Sequence, residues 1–321
     1  MADTPRPVLK WAGGKRQLLD VIDAHLPPEV QSGDITTYVE PMVGGGAVFF
    51  HMKQKYDNSL TNYYLSDYNW DLFVLYNVIK TRAEDLVAEL RELAGEYLPL
   101  PPTQQGDKEG ERISMYKRIR EEYNEDEWDN DRHLNDGVGF RKRLTDRWVR
   151  RAAMTVFLNR TCFNGLYRVN SSGKFNVPHG RYDKPDIVDE ENLRAVSRAL
   201  KGVQISVGSY EDNLAMVDDK TFVYFDPPYR PLPNTPSFTD YHKAAFGDAE
   251  QGVLADTFTN LHERGAKLML SNSDPKNTDE SDEFFDELYS QYTIHRVNAR
   301  RAINSDGKGR GEITEILVTN Y

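Results

Sequence analysis

Thr221-Phe222-Val223-Tyr224-Phe225-Asp226-Pro227-Pro228-Tyr229 is the stretch around which the chain is organised. Its first five residues are mostly β-branched or aromatic, which predicts a buried strand. The two prolines must end that strand, because proline donates no backbone hydrogen bond and fixes φ. Asp226 is therefore expected as an exposed carboxylate at a strand end, where open α/β sheets bind ligands. The alternative is a buried strand that ends at Pro-Pro with an incidental aspartate.

An acid, two prolines and an aromatic ring in this order suit methyl transfer to an exocyclic amino group. Such a nitrogen is a poor nucleophile because its lone pair is delocalised into the heterocycle. Hydrogen bonds from the amino group to Asp226 and to the carbonyl of Pro227 would aim the lone pair at a methyl donor, while Pro228 stiffens the turn. Tyr229 would stack on a base that has been flipped out of a duplex.

The composition excludes several classes of protein. The chain has 321 residues, with 51 acidic and 40 basic side chains and a net charge of -11, which argues against non-specific coating of nucleic acid. The single Cys162 forbids an internal disulfide, and the start of the chain does not resemble a signal peptide, so we expect a cytoplasmic protein. No apolar run approaches the roughly 18 residues of a membrane span.

Charge is distributed unevenly along the chain. Residues 147–184 carry eight basic side chains against the lone Asp183, whereas residues 107–136 carry eleven acidic against six basic ones. We expect the first stretch to face phosphates and the second to face water. A second basic group, offset only by Asp306, is a candidate phosphate contact and comprises Arg300, Arg301, Lys308 and Arg310.

Two glycine-containing turns are candidates for cofactor binding. Residues 10–15 read Lys-Trp-Ala-Gly-Gly-Lys, but the spacing of a phosphate loop is absent, which disfavours an NTPase. Lys15 is then either a solvated charge at a helix start or, with Trp11, a residue that closes over a cofactor. Residues 38–50 predict a strand, a glycine turn and a helix, and the next strand ends at Asp67, a position that reaches ribose hydroxyls.

A dinucleotide-binding oxidoreductase would share this order of elements. Its G-x-G-x-x-G pattern fails at the third glycine, where Phe49 stands, and Glu40 ahead of the glycines would repel a pyrophosphate. The same acid suits a cationic ligand. S-adenosylmethionine carries a sulfonium and an ammonium group but no phosphate.

Residues 159–178 suggest a strand, a Ser-Ser-Gly turn and a returning strand. Such a hairpin is suited to base reading, because arginine pairs with guanine and asparagine with adenine in the major groove. The alternative is that Asn164-Gly165 is only turn chemistry and that Arg168 is a solvated charge. Elsewhere, periodicity predicts helices at 69–93, 112–123, 147–158, 189–201 and 248–264, a loop at 95–110, and strands at 203–207, 267–272, 292–297 and 312–319.

Five motifs in one order resemble the Dam-like, D12-class DNA adenine-N6 methyltransferases over nearly the whole chain. They are residues 10–15, 39–46 (Val-Glu-Pro-Met-Val-Gly-Gly-Gly), 65–67 (Leu-Ser-Asp), 159–178 and the Asp-Pro-Pro-Tyr turn. The resemblance implies an α/β, Rossmann-like methyltransferase domain (1–69 and 186–321). It also implies an inserted, mostly helical target-recognition domain with a β-hairpin (70–185). Two departures are Cys162, where some relatives have glycine, and a longer, more acidic stretch at 95–139.

The resemblance also implies site residues, with S-adenosyl-L-methionine as cofactor and double-stranded DNA as partner. Cofactor contacts are expected from Trp11, Ala12, Gly13, Lys15, Glu40, Pro41, Gly44, Gly46, Asp67 and Asp226. DNA contacts are expected from Arg160, Phe163, Asn164, Arg168 and Asn176, besides the basic group near residue 300. Phe163 matches an aromatic that enters the base stack, and Arg168 matches an arginine that reads the target.

We therefore expect a site-specific enzyme that moves a methyl group from S-adenosylmethionine to adenine N6 by direct transfer, without metal or covalent intermediate. A GATC-like target rests on the resemblance alone. We expect a monomer that serves in restriction–modification or in another methylation role. A cytosine-N4 methyltransferase is an alternative, because that amino group needs the same polarisation, and a DNA-binding regulator with an inactive site is another.

Overall fold

The computed structural model describes residues 4–104, 106–125, 135–230, 246–300 and 312–321. The chain divides into two compact units. The first comprises Met1–Gly14, Gly44–Phe50 and Ser66–Gly208, and the second Lys15–Val43, His51–Leu65 and Ser209–Tyr321. These units follow packing and not function, so the target-recognition domain at 70–185 stays a prediction.

Seven strands form one mixed sheet. They are β1 (Thr37–Glu40), β2 (Asn62–Asp67), β3 (Gln204–Val207), β4 (Thr221–Phe225), β5 (Lys267–Ser273), β6 (Thr293–Arg300) and β7 (Glu312–Thr319). The strand order is β3-β2-β1-β4-β5-β7-β6. β1 pairs in parallel with β2 and β4, and β4 with β5, whereas β7 is antiparallel to both β5 and β6.

Ten α-helices occur among the described residues. They are α1 (Leu19–Ala24), α2 (Pro28–Ser32), α3 (Ala47–Tyr56), α4 (Trp70–Tyr97), α5 (Glu111–Tyr123), α6 (Gly137–Lys142), α7 (Asp146–Thr161), α8 (Glu190–Ala199), α9 (Asp248–Glu263) and α10 (Phe284–Leu288). α4 packs against α7 and α8, and α5 packs against α7. No helix among the described residues is long and apolar enough to cross a bilayer.

The sheet reverses its strand order at β1, which lies between β2 and β4. Ligands of open α/β sheets bind outside the carboxyl ends of the strands at such a point. Glu40 is the last residue of β1, and Asp226 directly follows β4. The fold therefore places the acid of the Asp-Pro-Pro-Tyr turn where the sequence predicts it.

β4 is buried along its whole length, as its β-branched and aromatic residues predict. Val223 and Phe225 belong to the core of the second unit, together with Leu268 and Leu270 of β5 and Phe258 of α9. Burying side chains of this size stabilises a fold by about 1.5–3 kcal/mol each. This core fixes the end of β4 and thus the start of the turn.

A buried ion pair joins α4 to α7 in the first unit. Nη2 of Arg151 lies 2.8 Å from Oδ1 of Asp71, and the guanidinium lies 3.5 Å from the ring centroid of Tyr123. Tyr167 donates a 2.6 Å hydrogen bond to Oδ2 of the same carboxylate. Burial alone would raise the pKa of Asp71, but Arg151 and Tyr167 lower it below its ordinary value.

The structure corrects the strand expected at the start of residues 159–178. Asn159, Arg160 and Thr161 form the last turn of α7, and no strand forms anywhere in this fully described segment. Only two isolated antiparallel bridges remain, Val169 with Phe175 and Cys162 with His179. The apolar face of α7 extends the helix to Thr161, and Asn164, at φ 56°, then turns the chain.

Arg151→Ala should lower the free energy of unfolding by about 3–5 kcal/mol, because it leaves the carboxylate of Asp71 buried without its cation. Chemical denaturation at neutral pH measures this loss. The control is Arg143→Ala, which removes an exposed arginine and should change stability by less than about 0.5 kcal/mol. Equal effects of the two variants would contradict the importance of the pair.

Candidate active site

Asp226 is held by side chains from two other parts of the second unit. Its Oδ1 accepts a hydrogen bond from Nζ of Lys15 at 2.6 Å and one from Oγ of Ser271 at 3.2 Å. No hydrogen bond to Oδ2 occurs among the described residues. The side chain is only 23% exposed. The expectation of an exposed carboxylate with little packing is therefore wrong.

Lys15 is a buried ammonium among acidic and phenolic groups. It is 2% exposed, and its Nζ lies 3.3 Å from the hydroxyl of Tyr229, 4.9 Å from the centroid of that ring and 3.9 Å from Oε2 of Glu315. Burial alone would lower the pKa of Lys15, but the charge of Asp226 and the other acidic groups raise it well above its ordinary value. Lys15 thus stays protonated, and the solvated alternative is excluded.

Two carboxyl groups share this one ammonium. Burial raises the pKa of Asp226, and the opposing effects of Lys15 and Ser271 do not cancel the rise. Burial likewise raises the pKa of Glu315, whose Oε2 has no hydrogen-bond partner in the described part of the chain. Ser271 and Glu315 were missed from the sequence, because each stands within an ordinary strand pattern.

The glycine turn of the first unit is built around Asp67 and Trp11. The backbone N–H of Gly44 donates to Oδ2 of Asp67 at 2.8 Å, and that of Asn69 donates to Oδ1 at 2.8 Å. A Cβ on Gly44, at φ 48°, would lie 2.9 Å from Nε1 of Trp11, so only glycine allows this approach. The structure brings these three predicted cofactor residues together.

Trp11 is supported by a buried tyrosine. The ring centroids of Trp11 and Tyr167 lie 5.4 Å apart. The hydroxyl of Tyr167 donates a hydrogen bond to the buried Asp71, which fixes the ring. Tyr167 is a supporting residue that the sequence did not reveal.

The remaining predicted cofactor residues differ in exposure. Glu40 is 2% exposed, and its Oε2 accepts a 2.6 Å hydrogen bond from the hydroxyl of Tyr38. Pro41 is buried, Ala12 is half-buried, and Gly13 is exposed. Gly46, like Gly44, has a positive φ, at 73°.

Four of the predicted DNA contacts lie at the surface of the first unit. Phe163 is 52% exposed, and Asn164 and Arg168 are also exposed. Nε of Arg168 donates a 2.7 Å hydrogen bond to Oδ1 of Asn176, so the two side chains form one polar group. An exposed aromatic ring and an arginine–asparagine pair are residue types that contact bases.

Other predicted phosphate contacts have partners within the protein. Arg150 pairs with Glu89 and Glu122, each at 2.8 Å, and Arg151 pairs with Asp71. Arg160 is partly buried, and its Nη2 donates to the carbonyl of Val8 at 2.7 Å. The basic stretch therefore does not face phosphates as a whole, because part of its charge joins helices together.

The second basic group lies largely outside the described residues. Arg301, Lys308 and Arg310 are not described, and of Arg300 only its place at the end of β6 is known. Their role as phosphate contacts stays a prediction. In the described ranges, no cluster of three or more His, Cys, Asp or Glu side chains is able to hold a metal ion.

Comparison with known proteins supplies the class of reaction. Residues 11–303 match the family model described as D12 class N6 adenine-specific DNA methyltransferase. The chain is 44% identical to the type II methyltransferase M.MjaIII of Methanocaldococcus jannaschii over 317 residues, which cover 98% of this chain and 99% of that protein.

Two bacterial proteins are similar over the same length. The chain is 35% identical to the type II methyltransferase M1.LlaDCHI of Lactococcus lactis, covering 98% of this chain and 95% of that one. It is 36% identical to a DNA adenine methylase of Escherichia coli, covering 98% and 94%. The family description specifies adenine N6, which decides against cytosine N4, and the seven-stranded mixed sheet is consistent with it. The chain belongs to the D12 class of N6 adenine-specific DNA methyltransferases.

Proposed function

We propose that this adenine-specific DNA methyltransferase carries out catalysis at Asp226, Pro227, Pro228 and Tyr229, with S-adenosylmethionine as the methyl donor. The observation that carries the proposal is that the two oxygens of the Asp226 carboxylate differ in their hydrogen bonds. Lys15 and Ser271 both bond Oδ1 of Asp226, and Oδ2 has no partner among the described residues. Oδ2 is therefore available to an amino group of the substrate.

The proposed role of the turn is to make a weak nucleophile reactive. Oδ2 of Asp226 and the carbonyl oxygen of Pro227 accept hydrogen bonds from the two N–H groups at adenine N6. This pulls the nitrogen towards tetrahedral geometry and directs its lone pair away from the ring. Lys15 fixes the carboxylate so that no reorganisation is needed during reaction. Asp226 or a water molecule then takes the proton that the methylated nitrogen releases.

Tyr229 is proposed to hold an adenine that has been flipped out of the duplex. Its ring offers a flat surface, and Lys15 lies 4.9 Å from the ring centroid and 3.3 Å from its hydroxyl. Two contacts from one buried ammonium restrict rotation of the ring. A base stacked on Tyr229 would present its N6 amino group to Asp226, three residues earlier.

The proposed cofactor contacts include the residues around Asp67 and those around Asp226. When bound, S-adenosylmethionine supplies an electrophilic methyl group on its sulfonium. Asp67 is proposed to accept hydrogen bonds from ribose hydroxyls and Trp11 to pack against the ligand, with Gly44 allowing close approach. The other proposed contacts are Ala12, Gly13, Lys15, Glu40, Pro41, Gly46 and Asp226.

DNA reading is proposed for the surface that presents Phe163, Arg168 and Asn176. Arg168 supplies a fork of donors for guanine, and the exposed ring of Phe163 is able to enter the base stack. The undescribed basic group near residue 300 is proposed to contact phosphates. Sequencing DNA from a methylation-free host that expresses this chain, with modified adenines identified, determines the target sequence.

Asp226→Asn should reduce kcat by about 100-fold or more, since the neutral side chain no longer polarises the amino group. Single-turnover methylation of duplex DNA measures the loss. The control is Asp274→Asn, which changes a buried carboxylate paired with Arg296 at 3.1 Å. The control should lower the melting temperature while it retains transfer, and an Asp226→Asn enzyme with normal turnover would refute the mechanism.

Ser271→Ala should shift the acid limb of the kcat profile to higher pH. Ser271 donates to the ionised form of Asp226, so its loss raises a pKa that burial has already raised. Transfer requires the ionised carboxylate, and a hydrogen bond to a charged group corresponds to a shift of about one pH unit. Thr221→Ala removes a comparably buried hydroxyl and should leave the limb in place. An unchanged limb in Ser271→Ala would assign the titration to another group.

Arg168→Ala should reduce kcat/KM on the preferred site by about one to two powers of ten, with little change on near-cognate duplexes. Cofactor affinity should stay the same. Arg198→Ala removes an exposed arginine of α8 and serves as the control. An equal loss on every duplex would make Arg168 a phosphate contact instead of a base reader.

A further inference from the structure

Residues 168–176 form a small hairpin with little pairing of its own. One bridge joins Val169 to Phe175. Two backbone hydrogen bonds also cross the hairpin, from the N–H of Asn176 to the carbonyl of Arg168 at 3.1 Å and from the N–H of Asn170 to the carbonyl of Lys174 at 2.9 Å. Residues 170–174, at its tip, are exposed. Within this tip, Oδ1 of Asn170 accepts hydrogen bonds from the backbone N–H groups of Ser172 and Lys174. A hairpin of this size is marginal in water by itself. Other parts of the first unit must therefore hold it.

Asn124 supplies the missing backbone partner. Its Nδ2 donates to the carbonyl of Phe175 at 2.9 Å, and its Oδ1 accepts from the N–H of Phe175 at 2.8 Å. One amide thus satisfies both backbone groups of a single residue, as a neighbouring strand would. Asn124 directly follows α5, and its own N–H bonds the last carbonyls of that helix.

The ring of Phe175 strengthens the same anchor. It is 3% exposed and lies 5.9 Å from the ring of Tyr123 and 5.8 Å from that of Tyr167. Tyr123 immediately precedes Asn124, so the ring contact and the amide contact arise at the same end of α5. Asn176, which bonds Arg168, is the next residue after the anchored Phe175.

We propose that Asn124 is a positioning residue for target recognition: it fixes Phe175 and thereby orients the Arg168–Asn176 pair towards DNA. This inference rests on the proposed function, in which that pair reads the target. Asn124 does not itself need to touch DNA. Its contribution is to present a preformed hairpin, which removes the conformational cost of ordering the hairpin on binding.

The test compares Asn124→Ala with Asn277→Ala. Asn277 is a matched control in the second unit, since it bonds the N–H and the carbonyl of Thr314 at 2.9 and 2.7 Å in the same way. The readout is discrimination, the ratio of kcat/KM on the cognate duplex to that on duplexes with one outer base pair changed. Asn124→Ala should lower this ratio about tenfold, whereas Asn277→Ala should leave it unchanged at a similar cost in melting temperature.

A second variant keeps the test informative where Asn124→Ala does not fold. Asn124→Asp retains the acceptor for the N–H of Phe175 but loses the donor to its carbonyl, so discrimination should fall while the protein stays folded. Cofactor affinity, measured by calorimetry, should be unchanged in every Asn124 variant.

Arg168→Ala separates this inference from the proposed function. Full discrimination in the Asn124 variants together with lost discrimination in Arg168→Ala would overturn the positioning role and leave the reader in place. Lost discrimination in the Asn124 variants alone would support the positioning role and move the reader to another side chain of the hairpin. Unchanged discrimination in all of them would overturn both assignments.

Discussion

The buried charge of Lys15 is the constraint on which the Asp-Pro-Pro-Tyr turn depends. An ammonium that is 2% exposed cannot remain charged without partners. Its acidic partners are Asp226, which follows β4, and Glu315 in β7, and Ser271 in the intervening β5 bonds Asp226. The strand order thus sets the spacing of two carboxyl groups around one cation.

Two acids and one ammonium make an electrostatically unequal group. Burial raises the pKa of both Asp226 and Glu315, because the charged form of a carboxyl group is disfavoured away from water. Functional groups in such environments are commonly found where chemistry occurs.

Sequence patterns predicted the strands whose bounds are set by residues close together in the sequence. β7 begins and ends at the predicted residues, and β4 ends where the two prolines require it. The strand expected at 159–178 was wrong, because α7 continues to Thr161 and the hairpin is held by a distant side chain.

The side-chain pairs that form the candidate site could not be predicted from such patterns, because their members are far apart in the sequence. Lys15 and Asp226 are separated by 211 residues, and the amide of Asn124 reaches Phe175 across 51. Arg151 looked like a candidate phosphate contact and is a buried partner of Asp71. Only the folded chain shows which charges are matched.

The last strand of the chain lies inside the sheet. β7 lies between β5 and β6, and it contributes Ile316 and Val318 to the core that contains Val39 of β1. During synthesis on the ribosome, β5 therefore remains an open edge until β7 has emerged, so this core reaches its native packing only late in translation.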